Sequence, residues 1–188
     1  MRELRAIVIG GGIGGLTAAA ALHHDGWTVT VLERAAVLEP VGAGIALAPN
    51  AQRALDTFGA GDAVRSLAGW QTDGGLRLPS GRWLSPTAPG APARRFGGPV
   101  VVAHRADLVA LLAARLPAAA LRTGTTATLA DPGAPDRPAR VITPDGELEA
   151  DLVIAADGIH SAVRRTLFPG HPAPRYAGFT CWRLVVPR

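Results

Sequence analysis

The chain has 188 residues, 48% of them hydrophobic and 18% charged, which supports one packed core with part of a second and excludes an intrinsically disordered chain. Net charge is +4, and all 19 basic side chains are Arg; they are scattered rather than clustered, which argues against a nucleic-acid partner. The single cysteine, Cys181, excludes an intrachain disulfide and fits a reducing cytoplasm, and no apolar run approaches the about 20 residues of a membrane span.

Met1 to Arg5 leads straight into a short apolar stretch, without the apolar core and cleavage site of a secretory leader. Arg5 to Ile9 is short, apolar and β-branched, the pattern of a buried strand. Gly10 to Gly15 is a glycine turn, and the Ala-rich segment Leu16 to His24 predicts a helix ended by Asp25-Gly26. Trp27 to Leu32 alternates and predicts a second strand, which completes a βαβ unit with a parallel sheet. Glu39 to Pro49 reads as a loop, and Asn50 to Phe58 as a helix capped by Asn50 and stopped by Gly59. Between Gly69 and Val102 the Gly, Pro and Trp content predicts an antiparallel sheet with long turns. A helix from His104 to Leu116 ends at Pro117. Strands follow at Leu121 to Leu129, Arg140 to Ile142 and Leu152 to Ala155, with a turn at Pro144-Asp145-Gly146. From Arg175 the texture is again that of exposed β structure.

These elements predict an α/β fold in two interleaved regions: residues 1–68 and 103–172 as a nucleotide-binding domain, and residues 69–102 and 173–188 as pieces of a β-rich region.

Four stretches carry the chemistry. The first is Gly10-Gly11-Gly12-Ile13-Gly14-Gly15, a G-x-G-x-x-G between a strand and a helix. Gly10 permits the tight turn, Gly12 lets the backbone approach a pyrophosphate, and Gly15 lets helix and strand pack closely. The helix start at Ile13 and Gly14 offers unpaired N–H groups and a positive dipole end to phosphates. Glu33 follows at the end of the second strand, near the roughly 20-residue spacing at which a carboxylate meets both ribose hydroxyls. By themselves these residues fit NAD and FAD equally well.

The second stretch is Val41-Gly42-Ala43-Gly44-Ile45 with Pro49-Asn50-Ala51, the third is His104-Arg105-Ala106-Asp107-Leu108, and the fourth is Asp151-Leu152-Val153-Ile154-Ala155-Ala156-Asp157-Gly158-Ile159-His160-Ser161-Ala162-Val163-Arg164. In the fourth, a buried strand delivers Asp157 to the carboxyl edge of the sheet, Gly158 allows a sharp turn, and Ser161 can cap the next helix. Together with Glu33-Arg34, these stretches resemble the N-terminal half of the single-component FAD-dependent aromatic hydroxylases, the group of salicylate-, urate- and 3-hydroxybenzoate-hydroxylase-like enzymes. The resemblance covers nearly the whole chain.

That resemblance implies a glutathione-reductase-like, Rossmann-like FAD-binding domain with a partial antiparallel β substrate region. It implies FAD as cofactor, NADH or NADPH as reductant, and O2-dependent hydroxylation of an aromatic-like small molecule. It places Gly10, Gly12, Ile13, Gly14, Gly15, Glu33, Arg34, Gly44, Arg105, Thr126, Asp157 and Gly158 at the cofactor. Gly44 belongs to a loop beside the flavin. Arg105 is expected at the FAD phosphates or flavin edge, where an always-charged guanidinium forks onto oxyanions. Thr126 is expected on a strand whose backbone touches the adenine. His160 and Cys181 read as packing or surface residues. No catalytic side chain and no metal site are expected, because the cofactor carries the difficult chemistry.

The chain departs from the family in length: relatives are about twice as long, and the Gly-Asp motif of their C-terminal half has no counterpart here. Three readings follow: part of an ordinary monooxygenase, one half of a split enzyme completed by a separate C-terminal-half polypeptide, or a truncated, non-catalytic flavin- or nucleotide-binding subunit. A half-built sheet would also favour self-association. A NAD-dependent dehydrogenase is disfavoured, since the chain has no Lys for a Tyr-Lys pair and its sole Tyr is Tyr176.

Overall fold

The computed structural model describes residues 2–38, 43–68, 75–86 and 91–182. In chain order the elements are β1 (Arg5–Ile9), α1 (Ile13–His24), β2 (Thr28–Leu32), β3 (Gly44–Leu47), α2 (Pro49–Asp56), α3 (Gly61–Ser66), β4 (Gly75–Arg77), β5 (Trp83–Pro86), α4 (Ala91–Phe96), β6 (Val101–His104), α5 (Arg105–Ala113), a 3₁₀ turn (Ala118–Ala120), β7 (Leu121–Arg122), β8 (Thr128–Asp131), β9 (Ala139–Thr143), β10 (Gly146–Ala150), β11 (Leu152–Ala155) and α6 (Ala162–Leu167). They fall into two compact units, Met1–Val41 with Val109–Arg183, and Gly42–Leu108 with Leu184–Arg188.

The first unit is built on a parallel sheet in the order β11-β1-β2-β7. β1 is apolar on both faces because both are covered. Ala6, Val8 and the other apolar residues of β1 are all buried, and α1 packs across β1, β2 and β11. On the opposite face a core of Ile7, Ile9, Leu32, Leu129, Val141, Ala150 and Val163 joins the sheet to the antiparallel sheet β10-β9-β8 and to α6. Small residues bring α1 close: a Cβ on Gly15 would sit 2.0 Å from the Gly10 carbonyl oxygen. Asp151 closes the edge by accepting from the Arg5 N–H at 2.9 Å and pairing with Arg2.

In the second unit β3 and β6 pair antiparallel, with Gly44 opposite His104, and β4 and β5 form a separate hairpin. The buried Gln52 ties α2 down by donating to the carbonyls of Leu47 (3.0 Å) and Pro99 (2.8 Å). α3 packs on α2, and Arg65 bridges Asp56 and Asp62 at 2.7 Å each.

Several local expectations shift. The helix after the glycine turn begins at Ile13, so Gly14 and Gly15 lie inside it. Asn50 is not the cap of α2; Ala48 holds that place, with Pro49 at the first helical position, where its missing N–H costs nothing. The stretch read as the loop 39–49 contains β3, and the stretch read as pure β structure contains α4. The strand expected over 121–129 is two strands in different sheets, and Thr126 stands between them. Described residues from 173 to 182 form no strand. Glu39, Val41, Gly42 and Gly69, named in the sequence reading, lie outside the described residues.

Candidate functional site

In the parallel sheet, β1 has β2 on one side and β11 on the other. A crevice opens where the strand order reverses in this way, at the carboxyl ends. A cleft of about 320 Å³ occupies that place, lined by residues at the ends of the three strands, by Thr125 to Ala127, and by His160, Ala162 and Arg165. Of the residues expected at the cofactor, it brings together Gly10, Gly12, Glu33, Arg34, Thr126, Asp157 and Gly158.

The glycine turn divides its work among its members. Gly10 has φ +110°, and a Cβ there would stand 2.3 Å from the Ala156 carbonyl oxygen, so the turn itself requires glycine. Gly12 has φ −73° and nothing within 4 Å of a Cβ position. The chain's own packing therefore does not demand glycine at 12; the open space beside it faces the cleft. Gly12 also starts α1 without a side-chain cap, and the first turn carries no acidic residue. The first N–H groups of this twelve-residue helix, from Ile13 to Gly15, are left for a partner outside the helix.

Glu33 is fastened by both oxygens. One accepts from the Gly11 N–H at 2.7 Å and the other from the Ala35 N–H at 2.8 Å. Its backbone joins the neighbouring segment, with its N–H donating to the Arg122 carbonyl and its carbonyl accepting from Thr125. A carboxylate oxygen accepts more than one bond, so the group stays available to hydroxyls in the cleft while fixing the glycine turn.

Across the cleft, one oxygen of Asp157 accepts from the N–H groups of Ala162 (2.7 Å) and Val163 (3.2 Å) at the start of α6. The other, Oδ1, is buried and has no partner. Burial works against its charge. The Ser161 hydroxyl and the N–H groups of Val163, Asp157 and Ala162 outweigh it and hold the carboxyl below its ordinary range. Gly158 follows with φ +82°, as a sharp turn requires.

Gly44 and Arg105 lie in the second unit. They are neighbours there: Gly44 pairs with His104, and the Arg105 N–H donates to the Ala43 carbonyl at 2.8 Å. The cleft also takes in Thr125 and Arg165, which the sequence reading passed over, and His160, which it read as a packing or surface residue. Arg165 had a signal in the sequence, standing next to the Asp151–Arg164 stretch.

The donor set suits a dinucleotide with a pyrophosphate and hydroxyl-rich sugars: unpaired N–H groups and open space at Gly12, a carboxylate at Glu33, and an orphaned acceptor at Asp157. A family model described as an FAD binding domain matches residues 3–175. The 3-amino-4-hydroxybenzoate 2-monooxygenase of Streptomyces cremeus is 38% identical over 202 residues, covering 99% of this chain and 47% of that protein. The 3-hydroxybenzoate 6-hydroxylase 1 of Aquipseudomonas alcaligenes is 36% identical, covering 96% of this chain and 47% of that protein. The crystal structure of Klebsiella pneumoniae HpxO complexed with FAD and uric acid superposes with a TM-score of 0.77 at 31% identity, covering 93% of this chain and 44% of that one. The chain thus spans about half the length of the relatives it matches. It belongs to the FAD-binding domain family, and the relatives of which it matches about half are monooxygenases and hydroxylases.

Proposed function

We propose that this chain holds the ADP half of FAD in the cleft at the ends of β1, β2 and β11, as the cofactor-binding part of a monooxygenase that uses NADH or NADPH and O2 to hydroxylate an aromatic-like small molecule. The observation that carries this reading is the pairing of unfilled space at Gly12 with the uncapped start of α1, on the rim of one cleft. Gly10 and Gly15 shape the turn, and Gly12, Ile13 and Gly14 face the pyrophosphate with backbone. Glu33 accepts from the ribose hydroxyls, Arg34 flanks them, and Thr126 borders the adenine. Asp157 borders the cofactor from the end of β11, with Gly158 giving room. Gly44 and Arg105 serve the flavin. When bound, FAD supplies hydride acceptance and oxygen activation; the protein's part is to hold it, orient it and keep water away.

The regions 1–68 with 103–172 are the proposed FAD-binding part, and 69–102 with 173–188 the beginnings of the substrate side. The outer edge of β11 is unpaired among the described residues, and its apolar Leu152, Val153 and Ile154 are only half-buried. Phe168, Tyr176, Phe179 and Trp182 are exposed. These features support a C-terminal half covering this side, as a continuation of this chain or as a separate polypeptide, with self-association as the competing outcome. No helix among the described residues is long and apolar enough to cross a membrane; with the lone Cys181, that supports placement in the cytoplasm.

The test is anaerobic mixing of the FAD-loaded chain with NADH or NADPH and a panel of aromatic hydroxy acids, alone and with a complementing C-terminal half. Bleaching of the flavin band, followed by product formation on readmitting air when the second half is present, is the expected result. A chain that stays yellow under both conditions, with the half present, would favour the non-catalytic flavin-binding subunit.

A further inference from the structure

The ribbon of β3 and β6 has four residues in each strand, and a two-stranded ribbon is marginally stable by itself. Its register nonetheless decides which residues face out, since a slip of one residue turns a strand's side chains to the other face. As paired, Leu47, Val101 and Ala103 are buried, and Gly44, Ala46 and Val102 are exposed. One end of the ribbon is Gly44 opposite His104. There the Arg105 N–H donates to the Ala43 carbonyl at 2.8 Å, and α5 begins. The half-buried Arg105 guanidinium has no partner among the described residues.

The other end is Leu47 opposite Val101, and Gln52 closes it. Its buried amide nitrogen donates to the carbonyl of Leu47, the last residue of β3, at 3.0 Å. It also donates to the carbonyl of Pro99, two residues before β6, at 2.8 Å. Gly98 lies against Pro49, with a Cβ position 3.6 Å from its ring, so the segment entering β6 rests on the start of α2. A primary amide has two N–H donors, and here each holds one side of the ribbon. Burying the group is costly unless its bonds are made, so packing alone would favour an aliphatic side chain at this place.

We propose that Gln52 is a positioning residue for Arg105 at the flavin: it ties β3 and the entry to β6 onto α2, and so sets the register that brings Arg105 to Ala43 at the head of α5 with its guanidinium free for the cofactor. This rests on the reading of Arg105 as a flavin residue. Gln52 is buried and main-chain carbonyls engage its donors, so it acts through the ribbon and not by touching the cofactor.

The experiment combines amide exchange in the free protein with FAD and ADP titrations. The chains compared are the parent, Gln52→Met, Gln52→Glu, Arg105→Ala, and Gln52→Met combined with Arg105→Ala. Gln52→Met keeps the length of the side chain and removes both donors; Gln52→Glu keeps its shape and, ionised, donates nothing. In both, the Arg105 amide should exchange about tenfold faster, while the amides of β1 and α1 exchange as in the parent. FAD should bind about tenfold more weakly, and ADP, which has no flavin, as in the parent. Arg105→Ala should weaken FAD by a similar factor. Adding Gln52→Met to it should cost less than about twofold more, because a residue that acts through Arg105 has nothing left to position. An unmoved exchange rate at Arg105, an equal loss of ADP and FAD, or full additivity in the combined variant overturns the proposal. Parental FAD affinity in Arg105→Ala overturns instead the reading of Arg105 as a flavin residue; the exchange comparison needs no cofactor and decides the hold of Gln52 on the ribbon separately.

Discussion

At the scale of single residues, the three glycines of the turn are chemically identical and physically different. Gly10 and Gly15 meet backbone at 2.3 and 2.0 Å from an added Cβ, whereas Gly12 meets nothing within 4 Å. Gly12→Val should therefore keep the thermal midpoint and far-ultraviolet spectrum of the parent and lose FAD, while Gly15→Val should fail to fold. Stoichiometric FAD in Gly12→Val would contradict the assignment of the open space to the pyrophosphate. Glu33→Ala should weaken FAD by about 1–3 kcal/mol, since charge-assisted bonds to the ribose go with it. It should also raise amide exchange at Gly11, whose N–H the carboxylate holds at 2.7 Å; an unchanged dissociation constant would remove Glu33 from the site. For Asp157 the folded carboxyl lies below its ordinary 3.8, so its ionised form adds stability above that pH, and the contribution is lost as pH falls through the lower folded value. The stability gap between parent and Asp157→Asn should be constant above about pH 5 and close on acidification, as urea midpoints at a series of pH values would show. A gap that widens on acidification would reverse the sign of the argument.

At the scale of elements, β1, the glycine turn, α1 and β2 were legible because each carries its own local signal: a β-branched apolar run, glycines, an Ala-rich segment, and an acidic residue at the expected distance. Leu16, buried where α1 meets the sheet, should cost about 2–5 kcal/mol on truncation to Ala; a loss below 1 kcal/mol by denaturant titration would mean that α1 is not seated on β1 and β2 as described. The helix start was misplaced by three residues because glycine inside a helix lowers propensity without forbidding it. The run from Leu121 to Leu129 is rich in threonine, which favours strand, yet the chain leaves one sheet after Arg122 and enters another at Thr128. Gly124, at φ +66°, was the local sign of that break, and tertiary pairing decides which sheet each piece joins. Thr125 carries no such sign: nothing local marks it as a cleft residue, and it becomes one only when the segment before β8 is brought to the ends of β1 and β2. The cap at Ser161, by contrast, was legible in the sequence.

At the scale of the whole molecule, the chain divides into two units, and the nucleotide cleft belongs to the first. It spans about half of each relative's length, and the half-buried edge of β11 and the exposed Phe168, Tyr176, Phe179 and Trp182 are the apolar features on which the proposed second half is argued. Mixing with a complementing C-terminal half should give a one-to-one heteromer by light scattering and bury tryptophan fluorescence; a homo-oligomer that ignores the added half would point to self-association instead. The central claim is that this cleft holds the ADP half of FAD, and the most direct test is titration of the purified chain with FAD, followed by visible absorption and competition with ADP. The account predicts a flavin band shifted from that of free FAD, saturating at one equivalent per chain, and displaced by ADP. An unshifted band that is lost on gel filtration, with no effect of ADP, would contradict it.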